Sequence, residues 1–307
     1  MIKRDVLVAT VLTAVTLSAA SAFAAPIIWS GEVEYEYEVE KKGDEKEKSH
    51  EINLELNLKS KVDDKSTIYA TVKLESELSF EGNEGESTIE LENVYLKYKL
   101  NEQVGLKLGA QPLEIAKGLW LDIDGFTGAN VEFEQGKTEL NIYYGKDSQD
   151  LDDVGAVQKI SIFDLKHQFN KAEGGIYTGK HADKKFFGVY GETSLNPQTV
   201  ISAEWVKNST DKKGGFVIEA EFGKAKKVGE FEYAVSYRDM EADLFTSNDL
   251  TGWDDNLKAS EGFKGMGLSV GYRISDKSTL KLSHEWGEQK IDKEDRATTE
   301  LSMKMKF

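Results

Sequence analysis

The 307-residue sequence has no cysteine, only three prolines and four histidines. Without cysteine there is no disulfide framework, thiol nucleophile or thiolate metal site. Proline donates no hydrogen bond and is poorly tolerated inside a sheet. Its scarcity leaves long stretches free to form ladders, and Pro112 and Pro197 fall in predicted loops or turns. His50, His167, His181 and His284 come with no nucleophile elbow and no metalloprotease helix motif, so the chain reads as non-enzymatic and no cofactor is expected. Beyond the first two dozen residues no run is apolar enough for a helical membrane span of about 20 residues. Positive charge is the scarcer sign: the formal net charge is −16. That disfavours nucleic acid, which requires a basic surface, and points to cations or to a field that repels anions.

The amino terminus departs from this polar character. Met1 to Asp5 is short and mostly basic, Val6 to Ala20 is apolar apart from Thr and Ser, and Ala22-Phe23-Ala24 has the small-x-small pattern of a cleavage site. Residues 1–24 read as a signal peptide, too short in its apolar part to remain as an anchor. Residues 25–307 read as one exported domain. Losing Lys3, Arg4 and Asp5 with the leader makes the remainder one charge more negative.

What fills that domain is alternation. From Glu32 to Glu40, Val33, Tyr35, Tyr37 and Val39 share one face and five glutamates the other. His50 to Lys59 repeats the pattern with Ile52, Leu54, Leu56 and Leu58, and Thr67 to Phe80 with Ile68, Ala70, Val72 and Leu74. A period of two is that of a β-strand. About sixteen such segments, within a range of about fourteen to eighteen, run to the end of the chain, with no convincing helix or linker between them. Val157 to Phe169 and Gly174 to Thr178 are the weakest. Ile89 and Leu91 are out of phase with Val94, Leu96 and Tyr98, which predicts a bulge near Glu92-Asn93.

The connections alternate in length. Val62 to Lys65, Asn101-Glu102, Gln135 to Lys137, Asn170-Lys171, Asn196 to Gln198, Lys224 to Val228 and Ser275 to Lys277 are brief. Lys41 to Ser49, Glu81 to Ser87, Gln111 to Gly125, Asp147 to Ala156, Ser209 to Gly214, Asp239 to Lys264 and Glu288 to Asp295 are generally longer. A soluble sandwich also alternates apolar and polar residues, but has no reason to put short turns on one rim and long loops on the other. The last strand places Leu301, Met303, Met305 and Phe307 on one face and Glu300, Ser302, Lys304 and Lys306 on the other. With an even strand count it closes against Glu32 to Glu40, where its lysines can answer the first strand's glutamates.

Taken together, the leader, the strands, the alternating connections and the terminal Phe307 resemble a Gram-negative outer-membrane porin. Glu92 to Gln111, a strand leading through a short turn into a Gly-rich strand, is similar to an early hairpin of that family. The Pro-Glu-Phe-Gly-like motif of the family's third loop is absent. The resemblance implies an all-β, transmembrane, antiparallel up-and-down barrel with short periplasmic turns and long extracellular loops. It implies a water-filled diffusion pore for ions and small hydrophilic solutes in the outer membrane, often trimeric. Its partners would be membrane lipid, lipopolysaccharide and the barrel-assembly machinery, for which Phe307 would be the signal.

In that family the third long loop narrows the lumen. Here that loop is Gln111 to Gly125, so Glu114, Lys117, Asp122 and Asp124 become the expected constriction. Leu113, Ile115, Leu119, Trp120 and Leu121 could pin it to the wall. The resemblance puts basic residues opposite; Lys73, Lys97, Lys99 and Lys107 face inward on early strands. Acids outnumber bases on the first three strands, which supports cation preference. Outward aromatics such as Tyr35, Trp205, Phe222 and Trp286 suit interfacial girdles. Asp147 to Asp153 lacks the glycine and distal glutamate of a calcium loop and reads as a solvated acidic segment. The alternative function is a non-conducting barrel that displays its loops as an adhesin or receptor.

Overall fold

The computed structural model describes residues 26–77, 87–147, 158–245 and 261–307. Sixteen strands follow in order: β1 (Ile27–Lys42), β2 (Glu45–Lys61), β3 (Ser66–Glu77), β4 (Ser87–Lys99), β5 (Val104–Glu114), β6 (Asp122–Gln135), β7 (Thr138–Asp147), β8 (Lys159–Gln168), β9 (Ala172–His181), β10 (Lys184–Asn196), β11 (Thr199–Asn208), β12 (Lys213–Gly223), β13 (Phe231–Met240), β14 (Phe263–Arg273), β15 (Ser278–Gln289) and β16 (Asp295–Lys306). Each pairs antiparallel with its sequence neighbours, and β1 pairs with β16, closing an all-β up-and-down barrel. Closure pairs the backbone groups that an open edge would leave bare, which is the condition for crossing hydrocarbon. The expected signal peptide, residues 1–24, lies outside the described residues.

Alternation sorts the side chains as the sequence predicts. Ile52, Ile68, Leu108, Ile142, Ile176, Trp205, Ile218, Leu282 and Met303 are exposed on the outer surface. Glu32, Glu34, Glu36 and Glu51 line the lumen. An apolar band of this extent costs about 25 cal/mol per Å² in water, so the outer surface suits lipid. The predicted bulge is present: Thr71 faces Asn93 and Val72 faces Leu91, leaving Glu92 as the extra residue. Ile89 and Leu91 thereby regain the outward face.

The seam is in register from Glu32 opposite Lys306 to Lys42 opposite Arg296. The Phe307 N–H donates to the Gly31 carbonyl at 2.9 Å, and the Gly31 N–H donates back at 3.3 Å. Lys304 lies 2.8 Å from both Glu32 and Glu34, with Lys306 3.7 Å from Glu32. A Cβ on Gly31 would come within 2.7 Å of the Phe307 ring, so this glycine makes room for the last side chain.

Several connections differ from expectation. Lys41 to Ser49 is not a long loop. Its residues pair as Lys41 with Lys46 and Glu40 with Glu47, leaving a two-residue turn at Gly43-Asp44. Gly43 has φ 56°, as the first position of a Gly-X hairpin turn requires. The hairpin runs on beyond the apolar band, where charge on both faces hides its period. Gln111 to Gly125 shortens likewise: β5 continues to Glu114 and β6 starts at Asp122, with an irregularity between Gln111 and Leu113. The β9–β10 turn, Ala182-Asp183, is short although it lies on the long-loop rim. Conversely, residues 224–230 form a seven-residue connection on the short-turn rim.

Candidate functional site

Residues 115–121 leave the wall between β5 and β6 and meet it again at β9–β12. The contact is built on Glu204 of β11, which is 1% exposed. The Tyr177 hydroxyl donates to its Oε1 at 2.6 Å. The backbone N–H groups of Lys117 and Leu119 donate to its Oε2 at 2.9 and 3.3 Å. The Lys117 ammonium lies 3.4 Å from Glu219 and 3.6 Å from Glu221 on β12. Burial pulls the Lys117 pKa down, but these glutamates more than reverse it and hold it above the ordinary lysine value. β5 and β11 are far apart in barrel order, so these bonds require the segment to cross the lumen.

An apolar core inside the barrel seats this segment. Leu119, Trp120 and Leu121 are fully buried. Trp120 stacks on Phe186 at 4.5 Å and on Tyr177 at 5.4 Å between ring centroids. Ile160, Ile162, Val206, Val217, Met240 and Phe263 join them from the inner faces of β8 to β14. Leu244 and Phe245, from the connection after β13, also pack into this core. The Asn208 side-chain amide donates to the Leu244 carbonyl at 3.1 Å. Lumen-facing glycines make room for the large side chains. A Cβ on Gly179 would lie 2.6 Å from Trp120, one on Gly215 2.8 Å from Leu244, and one on Gly188 would collide with the Tyr177 ring. Sixteen-stranded walls are too wide for wall side chains alone to fill; the inward segment closes one sector that they cannot.

Open space lies on the other side. Among the described residues, cavities of about 280 to 470 Å³ are lined by β1–β6 and β12–β16. One, of about 380 Å³, brings together eight carboxylates (Glu32, Glu34, Glu36, Glu51, Glu55, Glu75, Glu92 and Asp124) against Lys73 and Lys304. Another, of about 470 Å³, has Arg273, Lys277, Lys281, Lys304 and Lys306 facing Glu34, Glu36 and Glu300. Among the described residues no cluster of His, Cys, Asp and Glu is arranged to hold a metal ion.

The residues singled out from the sequence are distributed rather than gathered in one ring. Glu114 and Asp122 face each other across the loop neck, both exposed. Asp124 joins the acidic cavity of β1–β4, while Lys117 crosses to β12. Lys73 pairs with Glu75. Lys97 and Lys107 both bind Glu132 of β6, at 2.8 and 2.7 Å. Lys99 is exposed at the end of β4. These four lysines stand on β3–β5, beside the stem of the inward segment. Asp147 accepts a hydrogen bond from His181 at 2.7 Å; the next residues of that acidic stretch lie outside those described.

Glu204 escaped the sequence reading because a lone inward glutamate on a strand resembles every other lumen acid. The wall half of the inward core was also missed. Its signal was present in Phe186-Phe187 and Leu244-Phe245, adjacent apolar pairs that strict alternation does not produce.

No protein-family model and no curated protein matches the sequence. Solved structures do resemble the fold. A triple-substituted porin of Rhodopseudomonas blastica aligns with 92% of this chain and 100% of its own, at a TM-score of 0.61 and 11% identity. A more heavily substituted form of that porin gives the same coverage, score and identity. A chain from work on the asymmetric conductivity of engineered proteins aligns over 92% of this one at a TM-score of 0.60 and 12% identity. A closed sixteen-stranded antiparallel barrel, entered by the segment between its fifth and sixth strands, therefore has the fold of bacterial porins.

Proposed function

We propose that this chain forms a passive, cation-preferring diffusion channel for ions and small hydrophilic solutes in the outer membrane of a Gram-negative-type bacterium. The observation that carries this reading is the lumenal cavity of eight carboxylates against two lysines. Fixed negative charge beside a water-filled path raises the local concentration of cations and excludes anions. The inward segment 115–121 narrows the lumen from the β8–β12 side, so passage runs along β1–β4 and β14–β16. Asp124, with Glu114 and Asp122 at the loop neck, adds negative charge at this narrowing, and Lys117 is neutralised on the far wall. Export by residues 1–24, assembly through Phe307, contact with lipopolysaccharide and a homotrimeric state complete the proposal by analogy with porins.

The test is the purified protein in planar bilayers. Discrete conductance steps are expected, with a cation-directed reversal potential in a KCl gradient. Absence of steps would overturn the channel and leave the barrel as a scaffold for its loops. Steps with a reversal potential at zero would overturn cation preference alone.

A further inference from the structure

We infer a binding site for the phosphate of an anionic membrane-lipid headgroup at the β12–β13 turn, an inference that rests on the membrane-spanning reading above. The other connections on this rim have two to four residues; residues 224–230 make seven. Lys224, Lys226 and Lys227 are exposed within it. Among the described residues none of the three forms an ion pair, in a chain of net charge −16.

The turn is built to present these lysines. Glu230 accepts from the Lys226 and Lys227 N–H groups at 3.1 and 2.9 Å, and Glu232 accepts from the Ala225 N–H at 3.2 Å. Both acids thus face the turn's own backbone. Gly229, at φ 88°, donates to the Arg273 carbonyl at 2.8 Å and fastens the turn to the end of β14. A turn ordered before binding loses less entropy when it binds.

What lies beside the lysines selects the ligand. Phe231 lies 4.7 Å from Tyr272 and 6.2 Å from Tyr233 between ring centroids. Phe222, Phe231 and Tyr233 are 42 to 48% exposed, and Val228, in the turn itself, is 55% exposed. An ammonium cluster bordering an outward aromatic belt matches a phospholipid, whose phosphate meets the lysines while its glycerol and upper acyl carbons meet the rings. A soluble polyanion or an acidic protein would use the lysines and leave the rings bare.

The experiment is native mass spectrometry of the full chain released from mixed micelles containing equal dimyristoylphosphatidylglycerol and dimyristoylphosphatidylcholine. Preferential retention of phosphatidylglycerol is expected. The Lys224→Gln/Lys226→Gln/Lys227→Gln variant should lose that preference, each lysine accounting for about fivefold in affinity. Lys137→Gln/Lys171→Gln, on other turns of the same rim, should keep it. Equal retention of the two lipids by the parent, or unchanged preference in the triple variant, would overturn the site. Displacement of the lipid by excess inorganic phosphate would assign the lysines to a free anion and overturn the lipid. Far-ultraviolet circular dichroism of each variant in the same micelles reports folding, and Lys226→Gln alone serves if the triple variant does not assemble. A parent that retains phosphatidylglycerol but never conducts would sink the pore while leaving this site in place.

Discussion

Glu204 and Trp120 hold the inward segment by different physics, and removing each separates them. Glu204→Ala deletes the acceptor of the partly buried Lys117 amide and the buried Leu119 amide. Each orphaned donor costs about 1–3 kcal/mol, so the docked tip loses about 2–6 kcal/mol. Against this, Ile115, Leu119, Trp120 and Leu121 are at most 1% exposed. At about 1.5–3 kcal/mol each their burial contributes roughly 6–12 kcal/mol, an upper bound. The apolar seat outweighs the hydrogen-bonded latch. Glu204→Ala should therefore leave mean single-channel conductance near that of the parent while raising open-channel noise, as residues 117–119 loosen. Trp120→Ala, at about 3–5 kcal/mol, is of the same size and should by itself add noise too; joined to Glu204→Ala it brings the loss to about 5–11 kcal/mol, which should unseat the segment and give larger, unstable steps. Trp120→Phe should behave like the parent, because the indole N–H has no hydrogen-bond partner among the described residues. The reasoning fails if Glu204→Ala records as quietly as the parent, or if the double variant leaves conductance unchanged.

Further outcomes follow from other contacts. Glu92→Gln with Asp124→Asn should lower the KCl reversal potential, and adding Glu114→Gln and Asp122→Asn should lower it further; an unmoved potential would place the selectivity elsewhere. Gly188→Ala drives a Cβ into the Tyr177 ring, an overpacking worth about 1–3 kcal/mol, so the barrel should unfold at lower temperature in detergent. The raised Lys117 pKa fixes a sign: its ion pairs are fully present below the ordinary value of 10.5 and are lost as pH climbs through the higher folded value. Noise arising from this lysine should stay flat from neutral pH to about pH 10 and grow above it, whereas Lys117→Met should be noisy throughout.

Much of the wall was legible because its outer and inner faces meet opposite solvents. Ile52, Leu54 and Leu56 against Glu51, Asn53 and Glu55 can be read as a strand with no knowledge of its neighbours, and even the Glu92 bulge shows as a phase slip. Legibility fades where that contrast ends. The Lys41–Lys46 extension has water on both faces, so it reads as loop although its ladder is intact. Ile160, Val206 and Met240 point inward yet are apolar, because they meet the returning segment rather than water. The apolar content of that segment did reveal that Ile115, Leu119 and Trp120 would seek a wall. Which wall depended on Glu204, 87 residues from Lys117 in sequence, a pairing that only closure of the barrel brings about.

The filled sector between β8 and β14 makes the remaining passage eccentric. On the pore reading, a molecule in transit never sees equivalent surroundings: β1–β4 are densely anionic, while the β14–β15 hairpin carries Arg273, Lys277 and Lys281 at its turn end. A dipolar solute there experiences a torque, turning its positive end towards the first strands and its negative end towards the last. Such a duct orders the orientation of what it carries as well as its size and charge, and an elongated zwitterion would advance broadside, lying along the wall between these neighbouring sectors, rather than end-on.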